Sequence, residues 1–292
     1  MKRLQFRAVT LFVIVLMLTS STPIYGAENR VVTLGNDLNQ EQRQQMLRIF
    51  DVTEDQVKTL IVSNEEERSY LQGVATEKQI GTKAISSAYV EALSAGEGIQ
   101  VETYNITWVT KEMYQNALLT AGVKDARIIA AAPFNVSGTA ALTGILKAFE
   151  EVTGRSLNEE QKQVANEEIV KTGRLGDQIG KDKASQLVQE VKQEIIEKNL
   201  RNPEEIKRII IEIAGSLDIN LNTQQVNDLS ELMEKINKLN LNTEEMRRQL
   251  QSIGRQLGEI AEQNKEVKSL LDRILEFIRR IFESILGMVR KG

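Results

Sequence analysis

The sequence predicts an α+β (or α/β) protein: a mixed β-sheet domain with packed helices, then an all-helical portion, then a long C-terminal amphipathic helix. Three observations predict it. Strand-like and helical segments alternate over 30–152, strand signals stop near Gly154 while charged helical periodicity continues to 242, and apolar residues recur at every third and fourth place over 243–292. A chain of 292 residues can bury one or two real cores. We therefore predict domains at 30–152 and 153–242 and a coiled-coil-like helix over 243–292.

The first 26 residues have the pattern of a secretory signal peptide. A basic stretch (1–7), a nearly continuous apolar run (8–18) and a small, polar stretch follow one another in that order. We expect cleavage near Gly26 or Ala27 and a secreted, extracellular protein, with peripheral retention at the cell surface left open. An N-terminal membrane anchor is less favoured, because the apolar run is shorter than the ~20 residues that a span needs.

The α/β portion begins with a short strand and a helix that Asn39 caps. Two long strand candidates, 83–93 and 99–109, flank the turn-like segment 94–98, so we expect them to form an antiparallel hairpin. In the second of them Tyr104, Ile106 and Trp108 share one face, as in a sheet with one buried face. The remaining predicted strands are 31–34, 57–62 and 126–132, the last ended by Pro133. The remaining predicted helices are 40–50, 111–121 and a helix from Ser137 onward, and 65–72 is a short charged helix or turn.

The segment after the last strand is a candidate anion site. Ser137, Gly138 and Thr139 leave a strand and open a helix, and the free N–H groups of such a helix start can hold an anion. No phosphate-binding glycine signature surrounds them. The favoured interpretation is that Ser137 caps the helix while small residues let it lie close to the sheet.

Four stretches of this portion resemble a known family. They are 32–35, 81–89, 105–110, and 131–144 without Asn135. Together they are similar to the YpuA-like family of secreted Gram-positive bacterial proteins, a domain of unknown function (DUF1002). The resemblance covers about residues 30–240, implies an exported, envelope-facing protein and supplies no catalytic residues. The tail after Asn242 lies outside it.

The helical portion carries repeated helix-start signals. Each copy is a Leu-Asn pair with Gln or Glu three residues after the Asn, a variant of the capping box, at Asn39, Asn158, Asn222 and Asn242. We expect helices at 158–172, 177–199, 203–216, 223–239 and from 243 onward. The acidic residues of the first of these helices could form a carboxylate pair for glycoside cleavage, but exposed helix faces carry such pairs routinely.

The C-terminal segment divides into two parts. The first has a narrow apolar seam for helix pairing, and the polar residue Asn264 at a seam position is a known way to fix the register of a coiled coil. The predicted seam consists of Leu250, Ile253, Leu257, Ile260, Asn264, Val267, Leu271 and Ile274. The second part has a wider stripe and more cations than acids, as in a helix that lies on an anionic membrane. Its membrane-facing candidates are Phe277, Ile278, Ile281, Phe282, Ile285, Arg279 and Arg280. Packing against the protein's own bundle is the alternative for both parts.

Composition limits the chemistry. The chain has no histidine and no cysteine, which removes the commonest general base, thiolate nucleophiles and thiolate metal sites. Aromatic residues are 4% of the chain and its net charge is -4, a poor match for nucleic-acid binding. We name no catalytic residue, cofactor or metal.

The leading hypothesis is a secreted, non-enzymatic, envelope-associated protein that binds or scaffolds a partner through its helical tail. The alternatives are a hydrolase or transferase acting on an envelope polymer and a membrane-surface protein. A homo-oligomer formed through 246–288, an envelope or protein partner and an anionic membrane surface remain open as partners.

Overall fold

A computed structural model describes residues 29–239 and 241–253, and it confirms the α+β class. Five strands form one mixed sheet: β1 (Arg30–Gly35), β2 (Lys58–Val62), β3 (Ser87–Ala92), β4 (Ile99–Ile106) and β5 (Ala126–Val136). Their order is β2-β1-β3-β5-β4. The strand β3 runs antiparallel to both neighbours, while the β1–β2 and β4–β5 pairs are parallel.

The predicted hairpin between the third and fourth strands is wrong. The strand β5 lies between them, antiparallel to β3 with Tyr89 opposite Ile129, and parallel to β4 with Val101 opposite Ile128. The turn-like segment 94–98 is therefore a connection between two strands that do not pair. The sequence does contain a turn signal at 94–98, but burial decides which strands pair. Because β5 is more apolar than β4, it takes the central position beside β3.

The face pattern predicted for β4 is also wrong at its end. Ile99 and Val101 are buried, but Tyr104 is 43% exposed. A bulge between Tyr104 and Ile106, with Asn105 at φ +58°, changes the alternation so that Ile106 turns back towards the core. On the other side of this bulge β5 continues past Pro133 to Val136, contrary to prediction. Proline is tolerated there because the ladder is already interrupted.

The helices mostly start where capping chemistry predicts. Asn39 and Asn222 form complete capping boxes with Gln42 and Gln225, and Thr110 caps the helix that follows it. The helices are α1 (Gln40–Ile49), α2 (Asn64–Leu71), α3 (Glu77–Ile80), α4 (Lys111–Thr120), α5 (Ala141–Thr153), α6 (Glu159–Ile179), α7 (Lys181–Lys198), α8 (Pro203–Ser216), α9 (Thr223–Lys238) and α10 (243–253).

The predicted break between 172 and 177 does not exist. The helix α6 continues through Gly173 and Gly176 and ends at Ile179, and Gly180, at φ +96°, separates it from α7. The two internal glycines are packing positions instead. A Cβ on Gly173 would lie 2.2 Å from Trp108 Cη2, and one on Gly176 would lie 3.1 Å from Lys181 Cα.

Four hydrophobic clusters stabilise the part of the chain that the structure describes. One lies between the sheet and α1, a second between the sheet and α4 and α5, and a third within the bundle α6 to α9. A fourth, small cluster joins α2, α3 and α6 through Leu71, Ile80 and Val170. The second core also includes Ala165 and Ile169 of α6 and three residues of α10. The two predicted domains and the start of the predicted tail therefore share a core. Within the part of the chain that the structure describes, no helix has the length and apolar character needed to cross a bilayer.

Candidate functional site beside the C-terminal helix

The helix α10 is docked on the α/β portion. The Asn242 side chain accepts a hydrogen bond from Glu245 N at 3.0 Å and caps the helix. Met246, Leu250 and Ile253 follow at spacings of four and three residues, so they lie on one face of the helix. They are 4%, 0% and 1% exposed and belong to the core under the sheet. The first turns of the predicted tail are thus fixed to the chain's own core.

Asp125 joins this helix to the sheet. Its Oδ1 accepts hydrogen bonds from Gly96 N at 3.0 Å, from Gly98 N at 2.9 Å and from Gln249 Nε2 at 3.2 Å. Both glycines have positive φ, +94° and +77°, which lets the connection between β3 and β4 wrap around the carboxylate. Charge-assisted hydrogen bonds of this kind are stronger than neutral ones. The carboxylate therefore holds the loop and α10 in a fixed relation.

A cavity of about 400 Å³ lies at this junction. It is formed by the loop, Asp125 and one side of α10; its lining residues are Ala95, Gly96, Gly98, Asp125, Glu245, Arg248, Gln249, Gln251 and Ser252. The Glu245 carboxylate accepts hydrogen bonds from Gln249 Nε2 at 3.1 Å and from Arg248 at 2.6 Å. The bond from Gln249 is the largest effect on the pKa of Glu245, which lies below its usual value although partial burial opposes the shift. The cavity thus has a charged, hydrogen-bonded wall.

The structure places the predicted anion site in an internal contact. The hydroxyls of Ser137 and Thr139 both donate to the Gln79 carbonyl, at 3.1 and 2.8 Å, and Thr139 is fully buried. The carbonyl of Gly138 accepts a hydrogen bond from the buried Tyr114 hydroxyl. These three residues therefore connect β5 to α3 and α4, and both hydroxyls are engaged within the protein.

The interpretation of Ser137 as a helix cap is wrong. The helix α5 starts four residues later, at Ala141, and its N-cap residue Ala140 makes no side-chain cap hydrogen bond. Because β5 continues to Val136, the chain needs the intervening residues to turn into the helix.

The predicted pairing seam is only partly within the described residues. Leu250 and Ile253 pack inside the chain's own core, so they are not available to a second helix. The remaining seam and membrane-facing candidates lie outside the described residues: Leu257, Ile260, Asn264, Val267, Leu271, Ile274, Phe277, Ile278, Arg279, Arg280, Ile281, Phe282 and Ile285.

A buried polar cluster that the sequence analysis missed lies between α4, α6 and α7. Lys192 Nζ contacts Glu168 Oε1 at 2.5 Å and donates to Thr120 Oγ1 and Asn116 O, both at 2.9 Å, and the ion pair is 1% exposed on each side. Burial lowers the pKa of Lys192, although the Glu168 carboxylate opposes this. The available signal was position: Lys192 follows Val188 by four residues on the buried face of α7.

Three of the acidic residues considered for glycoside cleavage are held in ion pairs within the protein. Glu168 pairs with Lys192, Glu159 with Lys162, and Glu167 with Lys171 and Lys235. Each of these three carboxylates is therefore engaged by a different set of cations. A fully buried acid elsewhere, Glu67, is a second group that periodicity did not reveal.

Glu67 lies in α2 with its side chain fully buried. Asn64 Nδ2 donates to Glu67 Oε2 at 3.2 Å, and within the described residues Oε1 has no hydrogen-bond partner. Burial raises the pKa of Glu67 to about 8, and the hydrogen bond from Asn64 offsets only part of this, while Asp37 and Glu66 add repulsion. The group is therefore a neutral carboxylic acid near pH 7.

Comparisons with known proteins identify the family to which this chain belongs. A family model described as Protein of unknown function (DUF1002) matches residues 34–253. The chain is 36% identical over 261 residues to the "Uncharacterized protein YpuA" of Bacillus subtilis (strain 168), covering 89% of each. No solved structure matches the chain. The family match extends beyond Asn242, where the resemblance seen in the sequence was expected to end, and so takes in the docked helix α10. The chain belongs to the family of proteins of unknown function called DUF1002.

Proposed function

We propose that this chain is an exported protein of the cell envelope that binds or scaffolds a partner, without acting as an enzyme, and that displays its C-terminal segment from a fixed base. The observation that carries the proposal is the docking of α10. Leu250 and Ile253 lie in the core of the α/β portion, and Gln249 donates to Asp125. The segment that follows Ile253 therefore starts from an ordered helix.

An ordered starting point favours binding. Association loses conformational freedom, and a segment that is already held at one end loses less of it. The apolar spacing that docks α10 continues in the sequence through Leu257 and Ile260, which gives a partner helix a surface of the same kind. Export is supported by the basic, apolar and small-residue order of the first 26 residues.

A second candidate is attachment to an anionic membrane surface through the end of the chain. The sequence from Lys268 to Lys291 has twice as many cations as acids and a wide apolar stripe. Such a segment binds anionic lipids by combining apolar burial with electrostatic attraction. Membrane attachment requires anionic lipid and a protein partner does not, so the two candidates can be separated experimentally.

Export is tested by expressing the full chain in a Gram-positive host and measuring its intact mass in the medium, cell-surface and cytoplasmic fractions. We expect mature protein that starts near Glu28 outside the cytoplasm. A control that lacks residues 2–26 should stay inside. Full-length protein with an uncleaved N-terminus in the cytoplasm would contradict export.

Display is tested with the mature chain and a version that ends after Ile253, which keeps all the described contacts of α10. Light scattering reports self-association, and sedimentation with vesicles of anionic or neutral lipid reports membrane binding. We expect that only the longer chain self-associates or binds vesicles. Identical behaviour of the two proteins in both measurements would contradict the proposal.

A further inference from the structure

The cavity beside α10 contains a buried hydrogen-bond acceptor without a donor. Gln249 is 4% exposed, and its Nε2 donates to carboxylate oxygens of Asp125 and Glu245. Because ionised carboxylates only accept hydrogen bonds, this orientation of the amide is fixed. Its Oε1 is left with no partner within the described residues. A buried acceptor without a donor costs about 1–3 kcal/mol, so a ligand that supplies one is stabilised there.

A second oxygen faces the same space. Gln249 Oε1 and Ser252 Oγ each lie 3.4 Å from the position that a Cβ on Gly98 would take. The two oxygens therefore point towards one region in front of the loop, which the absence of a side chain on Gly98 leaves open. Both side chains line the cavity.

The charge of the lining is negative. Asp125 and Glu245 contribute two carboxylates, and Arg248 contributes one cation at the rim, where its side chain is 71% exposed. The acceptors lie deeper than the cation, since Gln249 is almost fully buried. The site therefore favours a ligand whose inner end is positive and rich in donors.

A bare metal ion fits this lining poorly. Asp125 Oδ1 already accepts three hydrogen bonds, and the two oxygens of Glu245 accept from Gln249 and Arg248. Calcium needs about six to eight oxygen ligands and would have to displace those bonds. An organic cation that carries N–H donors can instead bind to Gln249 Oε1 and Ser252 Oγ without displacing those hydrogen bonds.

We propose that this cavity binds a small ligand through a protonated amino group, which donates to Gln249 Oε1 and Ser252 Oγ under the negative charge of Asp125 and Glu245. The volume of about 400 Å³ suits a monosaccharide or a dipeptide. An amino sugar and a peptide amino terminus share the required chemistry. The inference rests on the described residues and does not depend on export or on the residues that follow Ile253.

The test is nuclear magnetic resonance of the mature protein labelled with ¹⁵N. The probes are glucosamine with N-acetylglucosamine as its control, and alanyl-alanine with its N-acetylated form as control. The reporters are the amides of Gly96 and Gly98, which donate to Asp125, and the side-chain amide of Gln249. We expect saturable shifts with at least one free amine and none with its acetylated partner; which amine binds distinguishes the two sources.

Variants locate the binding site. Gln249→Met removes the buried acceptor, and Ser252→Ala removes the second oxygen from a half-buried position with little effect on folding. Each should weaken binding by about tenfold or more, the loss expected of a charge-assisted hydrogen bond. Gln186→Met, on the exposed face of α7, is the matched control and should bind normally.

Three results would overturn the proposal. They are the absence of shifts with both amines, equal shifts with free and acetylated forms, and shifts by calcium chloride at the same amides that neither amine competes away. A fourth result, normal amine binding by both the Ser252→Ala and the Gln249→Met proteins, would also count against the proposal.

Discussion

Trp108 lies against Gly173, and its Nε1 donates to both carboxylate oxygens of Asp177 at 3.0 Å. The tryptophan follows β4, whereas Gly173 and Asp177 lie one turn apart in α6. This contact therefore fixes the helical portion to the end of the sheet. Lys181 Nζ donates to the Thr107 carbonyl beside it and supports the same junction.

Gly173→Ala should destabilise the protein. The added Cβ would fall 2.2 Å from Trp108 Cη2, so the ring must move, and overpacking of this kind lowers the free energy of unfolding by about 1–3 kcal/mol. Urea unfolding measures the change, and the fluorescence of Trp108, the single tryptophan, reports the ring's environment. Gly215→Ala in α8 is the control, because a Cβ there meets nothing within 4 Å. Equal stability of the two variants would show that the ring does not depend on the glycine.

Removing one partner of the Lys192–Glu168 pair should cost more than removing both charges. Lys192→Met leaves the Glu168 carboxylate buried without a cation, and such changes destabilise by about 3–5 kcal/mol. Adding Glu168→Gln should restore part of this loss. Urea unfolding of the two single variants and the double variant gives the coupling energy. Additive losses would mean that the two groups do not interact as the 2.5 Å contact indicates.

Glu67 should make stability fall as the pH rises. Its pKa of about 8 in the folded protein exceeds the ordinary value of 4.5, so between these values the folded protein holds a proton that the unfolded chain releases. The stabilisation is complete below pH 4.5 and is lost as the pH approaches 8, with a slope of roughly 1.4 kcal/mol per pH unit.

Glu67→Gln should remove this slope and make the protein more stable than wild type at pH 8. Urea unfolding at several pH values checks both effects. The exposed Glu160→Gln variant should keep the wild-type slope. If Glu67→Gln also keeps it, another group is responsible for the pH dependence.

Leu250→Ala should weaken the whole α/β portion and not only the C-terminal helix. Leu250 is 0% exposed within the core under the sheet, and a Leu-to-Ala change in a core costs about 2–5 kcal/mol. Hydrogen exchange should show faster exchange in α4 and α10 together. Gln251→Ala, one residue along on the exposed side, should change stability by less than about 0.5 kcal/mol. Faster exchange confined to α10 would mean that the helix is only peripheral.

Helix starts were readable from the sequence because capping is local. Asn39, Asn158 and Asn222 each accept a hydrogen bond from the backbone N–H three residues later, as the repeated Leu-Asn signal predicts. Strand pairing was not readable, because the placement of β5 between β3 and β4 depends on residues far apart in the chain. The helix predicted to end at residue 172 continues through Gly173, and the sequence does not show that Trp108 occupies the space beside this glycine.

The candidate site could not be predicted from the sequence either, because its residues are far apart in the chain. Gln249 looks like one of several glutamines on a polar helix face, and Asp125 like a turn residue between a helix and a strand. Their contact spans 124 positions, so only the fold brings them together. The apolar spacing of Met246, Leu250 and Ile253 was visible, but spacing alone does not tell whether such a face packs against its own chain or another.

The docking of α10 also constrains when the protein can finish folding. A core that begins with Val31 is closed by Ile253, so a ribosome must make nearly the whole chain before that core is complete. Until then the apolar surface that α6 and α10 will cover stays open on the growing chain. Loops that close over such distances form slowly. The α/β portion is therefore last to be completed although it is first to be synthesised. A chaperone that covers the exposed apolar surface during this interval would keep the chain able to fold.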